Sequence, residues 1–290
     1  MGGARPGTAR AVSDFADVTA LRARAGEPYP DRAEYDVDLH PGWAIRGKPN
    51  GGYLLAMLAR AGCLVVGTRD PLAVSAHYLR APNPGPAEIR AQVIRRGRRV
   101  STSRASMWQG GKVCIETLIS SGRLPEAPAE WSGRPAPAMP APEDCVEATA
   151  GAFTVELLDH IELRIDPATA PKPRPTGTPV VRFWFRLRDG AEPDVLTTLL
   201  AVDSGPPTIF NLARYGWAPT VELTVLVRGA PAPGWMRCES HATLLGGGWF
   251  DEEAALWDST GALVAQARQL ALTTSEQRPD GPAPDNPANP

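Results

Sequence analysis

Two stretches of the sequence decide the fold, because they repeat one pattern. Residues 71–120 read PLAVSAHYLRAPNPGPAEIRAQVIRRGRRVSTSRASMWQGGKVCIETLIS, and residues 219–272 read PTVELTVLVRGAPAPGWMRCESHATLLGGGWFDEEAALWDSTGALVAQARQLAL. Each predicts a strand, a turn rich in Pro and Gly, and then three further strands. Landmarks recur at spacings of 148, 149 and 150, namely Arg80 with Arg228, Gly85 with Gly234, and Val113 with Leu263. The chain therefore contains an internal duplication.

A strand and a helix precede each of these blocks. Residues 51–61 are apolar on nearly every side, as in a helix enclosed by other structure, and residues 194–202 after Pro193 are similar, with an acid in the first turn. Earlier strands are predicted near residues 35–39 and 180–185. A strand, a buried helix and four strands describe an antiparallel sheet curled around a helix, which is the hot-dog fold. The sequence thus predicts an α+β protein of two tandem hot-dog repeats.

Composition sets the domain limits. The 31 prolines cluster in a connector and in a tail that has almost nothing to bury. We expect an N-terminal arm over residues 1–30, a first repeat over 31–124 and a Pro-rich connector over 125–150. A second repeat with the catalytic residues should follow over 151–274, and a disordered tail over 275–290.

Charge and motifs exclude several classes of function. The net charge is −2, from 30 basic and 32 acidic residues, which does not suit nucleic-acid binding. No apolar run approaches the roughly 18 to 20 residues of a membrane span, and the N-terminus lacks a signal core, so we expect a cytoplasmic protein. Nucleotide-binding, nucleophilic-serine and zinc motifs are missing, and the cysteines and histidines lack ligand spacing. We expect neither a metal nor a cofactor.

The second copy is polar at three positions where the first copy is apolar. Asp203 corresponds to Ala56, Thr220 to Leu72 and Gln269 to Ile119. Asp203 ends the apolar face of its helix, so burial and the negative end of the helix dipole should both raise its pKa. It is a candidate general base, with Thr220 and Gln269 able to hold a water against it. Each residue taken alone also fits an exposed helix end or strand position.

Further candidates belong to substrate binding. Gly51 and Gly52 open a helix whose N–H groups suit a polarised carbonyl oxygen, although an ordinary turn explains them equally well. The basic run with Arg96, Gly97, Arg98 and Ser101 could meet phosphates, and it also fits a solvated hairpin tip. His77, in mid-strand beside the first helix, is the one histidine retained as a candidate.

The sequence resembles the acyl-CoA thioesterase II (TesB-like) family of double hot-dog proteins. The resemblance covers about residues 15–273 and depends on PNGGY (49–53), AHYLR (76–80), RGRRVS (96–101), LAVD (200–203), PTVEL (219–223) and LVAQARQ (263–269). It implies hydrolysis of a fatty acyl-CoA to free acid and CoA, hence a role in lipid metabolism. The family's catalytic Asp, Thr and Gln, which orient the hydrolytic water, fall on Asp203, Thr220 and Gln269.

Two departures from the family leave the acyl-chain preference open. The stretch after Asp203 is shorter than usual, and residues 251–253 add acid near a possible pocket. Two alternatives also remain: a non-catalytic acyl-CoA-binding hot-dog protein, and a hot-dog hydratase or dehydratase. The latter needs an Asp and His pair, for which only His77 could serve. Because hot-dog units usually pair their sheets, we also expect a homo-oligomer.

Overall fold

The computed structural model describes residues 15–24, 30–150, 154–172, 174–273 and 276–277. Within these residues it contains three α-helices: α1 (Phe15–Val18), α2 (Gly51–Val66) and α3 (Val195–Ala201). Short 3-10 helices cover Pro142–Asp144, Glu156–Asp159 and Thr208–Leu212. The strands up to residue 122 are β1 (Arg22–Ala23), β2 (Arg32–Leu39), β3 (Ala44–Ile45), β4 (Lys48–Pro49), β5 (Asp70–Tyr78), β6 (Gly85–Arg95), β7 (Val100–Gln109) and β8 (Lys112–Gly122). The later strands are β9 (Val146–Glu147), β10 (Ile161–Ile165), β11 (Val180–Leu187), β12 (Arg214–Tyr215), β13 (Thr220–Val227), β14 (Met236–His241), β15 (Leu245–Gly246), β16 (Trp249–Trp257), β17 (Leu263–Leu272) and β18 (Glu276–Gln277).

One long antiparallel sheet organises the molecule. Its strands follow the order β1-β2-β6-β7-β8-β5-β13-β17-β16-β14-β11-β10-β9, with β15 added beside β16. We call residues 32–122 the first half and residues 146–272 the second half. The two halves meet where β5 pairs with β13, from Ala73 opposite Leu226 to His77 opposite Glu222. This mixture of a large sheet and few helices confirms the predicted α+β class.

Helix α2 is the buried helix of the first half. Asn50 caps its start by accepting a hydrogen bond from the Tyr53 N–H at 2.9 Å, and Gly67 ends it in the left-handed conformation at a φ of 74°. The helix packs against β2 and β5 to β8, and most of its side chains are buried. It extends five residues beyond the predicted end at residue 61.

Helix α3 is much shorter, with seven residues. Asp194 is its N-cap and forms a capping box with Thr197, so this acid lies just before the first turn, in which the sequence predicts it. The helix ends at Ala201 and packs against α2, β13 and β17. Counted from the two N-caps, Asp203 matches Ala59, which is fully buried, and not Ala56.

Strand register shows which residues correspond between the halves. Ile119 lies opposite Val74 on one side and Ser103 on the other, and we call these three residues the first row. Gln269 lies in the same way between Leu223 and Glu252, and we call those three the second row. The predicted correspondence of Gln269 with Ile119 therefore agrees with the register.

The register corrects the partner of Thr220. Thr220 lies opposite Ala271, as Pro71 lies opposite Ser121, so Thr220 corresponds to Pro71 and not to Leu72. The reason is a one-residue irregularity near the start of both strands, between Pro71 and Ala73 and between Thr220 and Glu222. The contrast between an apolar and a polar residue is unchanged.

Part of the predicted arm and of the connector packs onto the sheet. Phe15 is buried against Trp43, with ring centroids 5.2 Å apart. In the connector, Arg134 O accepts a hydrogen bond from Trp257 Nε1 at 3.1 Å, and β9 joins the sheet edge beside β10. Strands β9 and β10 were not predicted. The predicted tail lies outside the described residues except for β18, which pairs with β12.

Candidate active site

A cavity of about 520 Å³ lies between the start of α2, β13, β17 and the segment after α3. Apolar side chains form most of its lining, among them Leu54, Val202, Phe210, Phe250 and Leu272. Asp203, Thr220 and Gln269 all line it as well. The structure thus brings the three residues chosen from repeat asymmetry into one mostly apolar chamber.

Asp203 lies just past the end of α3 and contacts the start of α2 in the other half. Its Oδ2 accepts a hydrogen bond from the Gly52 N–H at 2.7 Å and from Asn50 Nδ2 at 3.2 Å. Asn50 Nδ2 also donates to the Asp203 carbonyl oxygen at 3.0 Å. These contacts hold the carboxylate in one orientation at the cavity wall.

Burial raises the pKa of Asp203 to about 6, although the Gly52 N–H and the Asn50 amide both lower it. The dipole contribution differs from the prediction, because the carboxylate also meets the positive end of α2, where negative charge is stabilised. Desolvation is therefore the cause of the raised pKa. A carboxyl with this pKa is ionised at neutral pH and is a better proton acceptor than an exposed Asp.

Thr220 and Gln269 form a pair across neighbouring strands. Thr220 Oγ1 donates a hydrogen bond to Gln269 Oε1 at 2.8 Å. A hydroxyl that donates its only hydrogen to a neighbour keeps lone pairs that can accept. This pair therefore presents an acceptor oxygen at the cavity.

The two glycines at the start of α2 have different surroundings. A Cβ on Gly52 would lie 2.5 Å from Leu199 O and 3.0 Å from Leu200 Cα, so this glycine lets the two helices approach closely. Its N–H is already bonded to Asp203, which corrects the expectation that it would face a substrate carbonyl. Gly51 lines the cavity, and its carbonyl oxygen accepts a hydrogen bond from the Tyr78 hydroxyl at 2.9 Å.

The remaining predicted binding residues do not line this cavity. His77 is exposed on β5, between Glu222 and Glu116 of the neighbouring strands. Arg96 pairs with Asp31 and donates to the carbonyl oxygens of Pro30 and Val65.

Gly97, Arg98 and Ser101 lie in a separate pocket beside the end of α2. Three further arginines, Arg69, Arg99 and Arg123, also line it. The Ser101 hydroxyl is buried and accepts a hydrogen bond from the Gly97 N–H at 3.3 Å. This pocket shares no lining residue with the cavity around Asp203.

Two residues of the site were not among the predicted site residues, although the sequence indicated acid near a pocket at residues 251–253. Asn50 is an N-cap, which its position before two glycines could have indicated. Glu252 lines the cavity and pairs with Gln269 in the β16–β17 ladder. The alternation of inward and outward side chains along β16 is the only sequence signal that could have separated it from Asp251 and Glu253. Within the described ranges, no three His, Cys, Asp or Glu side chains are placed to hold a metal ion.

Comparisons with known proteins identify the family. The model of the acyl-CoA thioesterase N-terminal domain matches residues 39–122, and that of the C-terminal domain matches residues 142–273. The chain therefore belongs to the acyl-CoA thioesterase family, as the sequence resemblance predicted.

Individual relatives agree with this result. An uncharacterized protein of Mycobacterium tuberculosis is 32% identical, with 90% of this chain and 99% of that protein aligned. The crystal structure of a proposed thioesterase II from Thermobifida fusca is 34% identical, covers 89% of this chain and 97% of its own, and gives a TM-score of 0.80. A hot-dog protein of unknown function from Alicyclobacillus acidocaldarius, 20% identical with coverage of 90% and 98%, gives 0.76 and shows the shared fold.

Proposed function

We propose that this protein hydrolyses a fatty acyl-CoA thioester to the free acid and CoA, with water held by Asp203, Thr220 and Gln269. Family membership supports thioester hydrolysis in general. The observation that carries the finer proposal is that all three side chains face one mostly apolar cavity. An acyl chain can bury its methylene groups there while its thioester lies at the polar wall.

The hydrogen-bond pattern suits an attacking water. One hydrogen of the water can be accepted by the Asp203 carboxylate and the other by Thr220 Oγ1, whose own hydrogen goes to Gln269. This leaves a lone pair of the water free to attack the carbonyl carbon. As the C–O bond forms, Asp203 takes the proton, and when the C–S bond breaks it returns that proton to the leaving sulfur. Because thioesters lack amide resonance, orientation and charge stabilisation suffice without a covalent intermediate.

Gly51 is the candidate donor for the developing oxyanion. It is the first residue of α2, so its N–H has no partner within the helix, and it lines the cavity. The positive end of the helix favours negative charge at this point. The carbonyl oxygen is therefore assigned to the Gly51 N–H and not to that of Gly52.

Turnover should depend on the ionisation of Asp203. The carboxylate must be deprotonated to accept a proton, and its pKa is about 6. Turnover is therefore expected to rise with pH through about 6, as measured by thiol release under saturating substrate.

We also propose the domain organisation that the sequence predicts. Two fused hot-dog units, over residues 31–124 and 151–274, are supported by the matching strand registers of the two halves. Within the described part of the chain, no helix has the length and apolarity to cross a bilayer. The cytoplasmic location, the homo-oligomer, the disordered tail and the exclusion of nucleic acid stay predictions.

A spectrophotometric assay of free thiol, run on acyl-CoAs of increasing chain length, tests the function. Thiol release that disappears in Asp203→Asn supports it. Binding of acyl-CoA without thiol release would instead favour a non-catalytic module. The hydratase alternative gains no support from the structure, because His77 is exposed and does not line the cavity with Asp203.

A further inference from the structure

Glu252 is a buried acid of the cavity that the proposed mechanism does not use. It lies in the middle of β16, is 8% exposed, and lines the cavity together with Gln269. Its Oε2 accepts two hydrogen bonds from Thr208, one from the N–H at 3.0 Å and one from the hydroxyl at 2.9 Å. Buried carboxylates need such donors, and this one lines the same cavity as Asp203, Thr220 and Gln269.

Glu252 and Gln269 are direct cross-strand neighbours. They lie opposite each other in the β16–β17 ladder and both line the cavity, and the Gln269 side chain lowers the pKa of the Glu252 carboxyl. On its other side, Gln269 accepts the hydrogen of Thr220. Gln269 therefore lies between a carboxylate and a hydroxyl, and its amide can face them in two orientations.

The carboxylate decides between those orientations. An ionised carboxylate only accepts, so the Gln269 Nε2 must turn towards Glu252 and its Oε1 towards Thr220. Thr220 then donates to Oε1, and its lone pairs accept a hydrogen from the water. With the amide reversed, Thr220 would accept from Nε2 and donate to the water, which would engage one of the water's two lone pairs, lower its nucleophilicity and remove the acceptor that orients its second hydrogen.

From this geometry we infer that Glu252 is a positioning residue that sets the direction of the hydrogen-bond chain from the water through Thr220 and Gln269. The inference rests on the proposed hydrolytic function and adds a fourth residue to that site. The corresponding residue of the first row is Ser103, whose hydroxyl donates to the Gly62 carbonyl oxygen at 2.9 Å. In the first row a short hydroxyl side chain that packs under α2 therefore takes the place of the acid that lines the cavity in the second row.

Two titratable groups interact with this carboxyl. Burial raises the pKa of Glu252 to about 7, the Thr208 and Gln269 donors lower it, and the charge of Asp203 raises it further. Glu252 in turn contributes to the raised pKa of the buried Cys238 thiol. The hydrogen-bond chain should therefore keep its productive direction above about pH 7, where Glu252 is ionised. The turnover rate should fall below that pH, which we call the upper acid limb, in addition to the fall at lower pH that protonation of Asp203 causes.

Glu252→Gln is the direct test. Its single amide oxygen would stay with the two Thr208 donors, so its NH₂ would face Gln269 and reverse that amide. We expect kcat to fall about 10- to 100-fold with KM changed less than about threefold, since the lost contact acts on the transition state. The upper acid limb of the pH profile should disappear. Glu253→Gln is the matched control: Glu253 is the next residue on β16, is partly exposed beside His241, and should keep wild-type kinetics.

A second variant covers the case in which Glu252→Gln does not fold. Thr208→Val removes one hydrogen-bond donor from the carboxylate, which raises the pKa of Glu252 and should move the upper acid limb to higher pH. An unmoved limb, or a Glu252→Gln protein with wild-type kcat and pH profile, overturns the inference while thiol release by the wild type upholds the hydrolase. A wild type that releases no thiol, tested alongside, overturns both.

Discussion

The two halves use the same sheet positions in different ways. In the first row, Ile119 and Ser103 lie under α2, where Gly62 allows close packing: a Cβ at Gly62 would lie 2.5 Å from Ile119 Cδ1 and 2.7 Å from Ser103 Oγ. In the second row, Gln269 and Glu252 line the cavity. The difference between the helices explains this, because α2 has 16 residues and α3 ends after seven. Because α3 is short, space for a ligand remains above the polar side chains of the second row. In the first half, the longer α2 fills the equivalent space above the first row.

Among the variants that test this difference between the halves, Asp203→Asn should lower kcat the most. We expect kcat to fall about 100-fold or more, because the second half loses its only proposed proton acceptor. Thiol release under saturating acyl-CoA measures this, with circular dichroism as a check on folding. An Asn variant that turns over at the wild-type rate would exclude Asp203 as the base.

The same variant should be more stable than the wild type at pH 8. The folded-state pKa of Asp203 is raised from 3.8 to about 6, so the protonated form favours the folded state and that stability is lost as pH rises through about 6. Asn stays neutral and avoids the loss, which we expect to be about 1 to 3 kcal/mol after solvent screening. Urea unfolding should show the full gain at pH 8, a smaller gain at pH 5 and almost none at pH 3, because the loss accumulates between the two pKa values of 3.8 and about 6.

Two single variants, Gln269→Ile and Ile119→Gln, test whether the second row serves the cavity while the first row serves packing under α2. Gln269→Ile gives the second row its first-row counterpart, removes the acceptor for Thr220, and should lower kcat about 10- to 100-fold. Ile119→Gln places an amide under α2, where burial without partners should cost about 1 to 3 kcal/mol of unfolding free energy and leave kcat unchanged. Equal kinetics for both single variants would contradict the asymmetry.

A smaller effect is expected from alanine at the helix glycines. Gly52→Ala presses a Cβ against the α3 backbone, so it should cost about 1 to 3 kcal/mol and lower activity by shifting Asp203. Gly62→Ala presses a Cβ against the buried side chains of Ile119 and Ser103, so it should also cost about 1 to 3 kcal/mol, but it should keep kcat because neither residue lines the cavity. Thermal unfolding and thiol release, measured on both variants, compare the two sites. Similar losses of activity would argue against a special role for the contact between α2 and α3.

The smallest effect is expected at the basic pocket of the first half. Arg98 shares this pocket with Arg69, Arg99 and Arg123, at a site separate from the cavity. Arg98→Ala should therefore leave kcat and KM within about twofold of wild type, as expected for a surface charge far from the reaction. A KM that rises severalfold and depends on salt would restore the sequence-based hypothesis that this run binds phosphates of the substrate.

The sequence by itself determined the repeated pattern, most of the strands and the two longer helices, and the three positions at which the second half is polar. Hydrophobic periodicity and spacing are local properties, so they could be read along the chain. The family followed from a resemblance in short motifs, and the comparisons confirmed it.

Only the tertiary structure decided how those residues meet. The hydrogen bond from the Gly52 N–H to Asp203 joins residues 151 positions apart, and it depends on how α2 packs against α3. The register shift at Thr220 and the placement of Glu252 beside Gln269 follow from pairing between strands. Sequence patterns report which side of an element is buried, whereas contacts between elements depend on packing and register that no local pattern encodes.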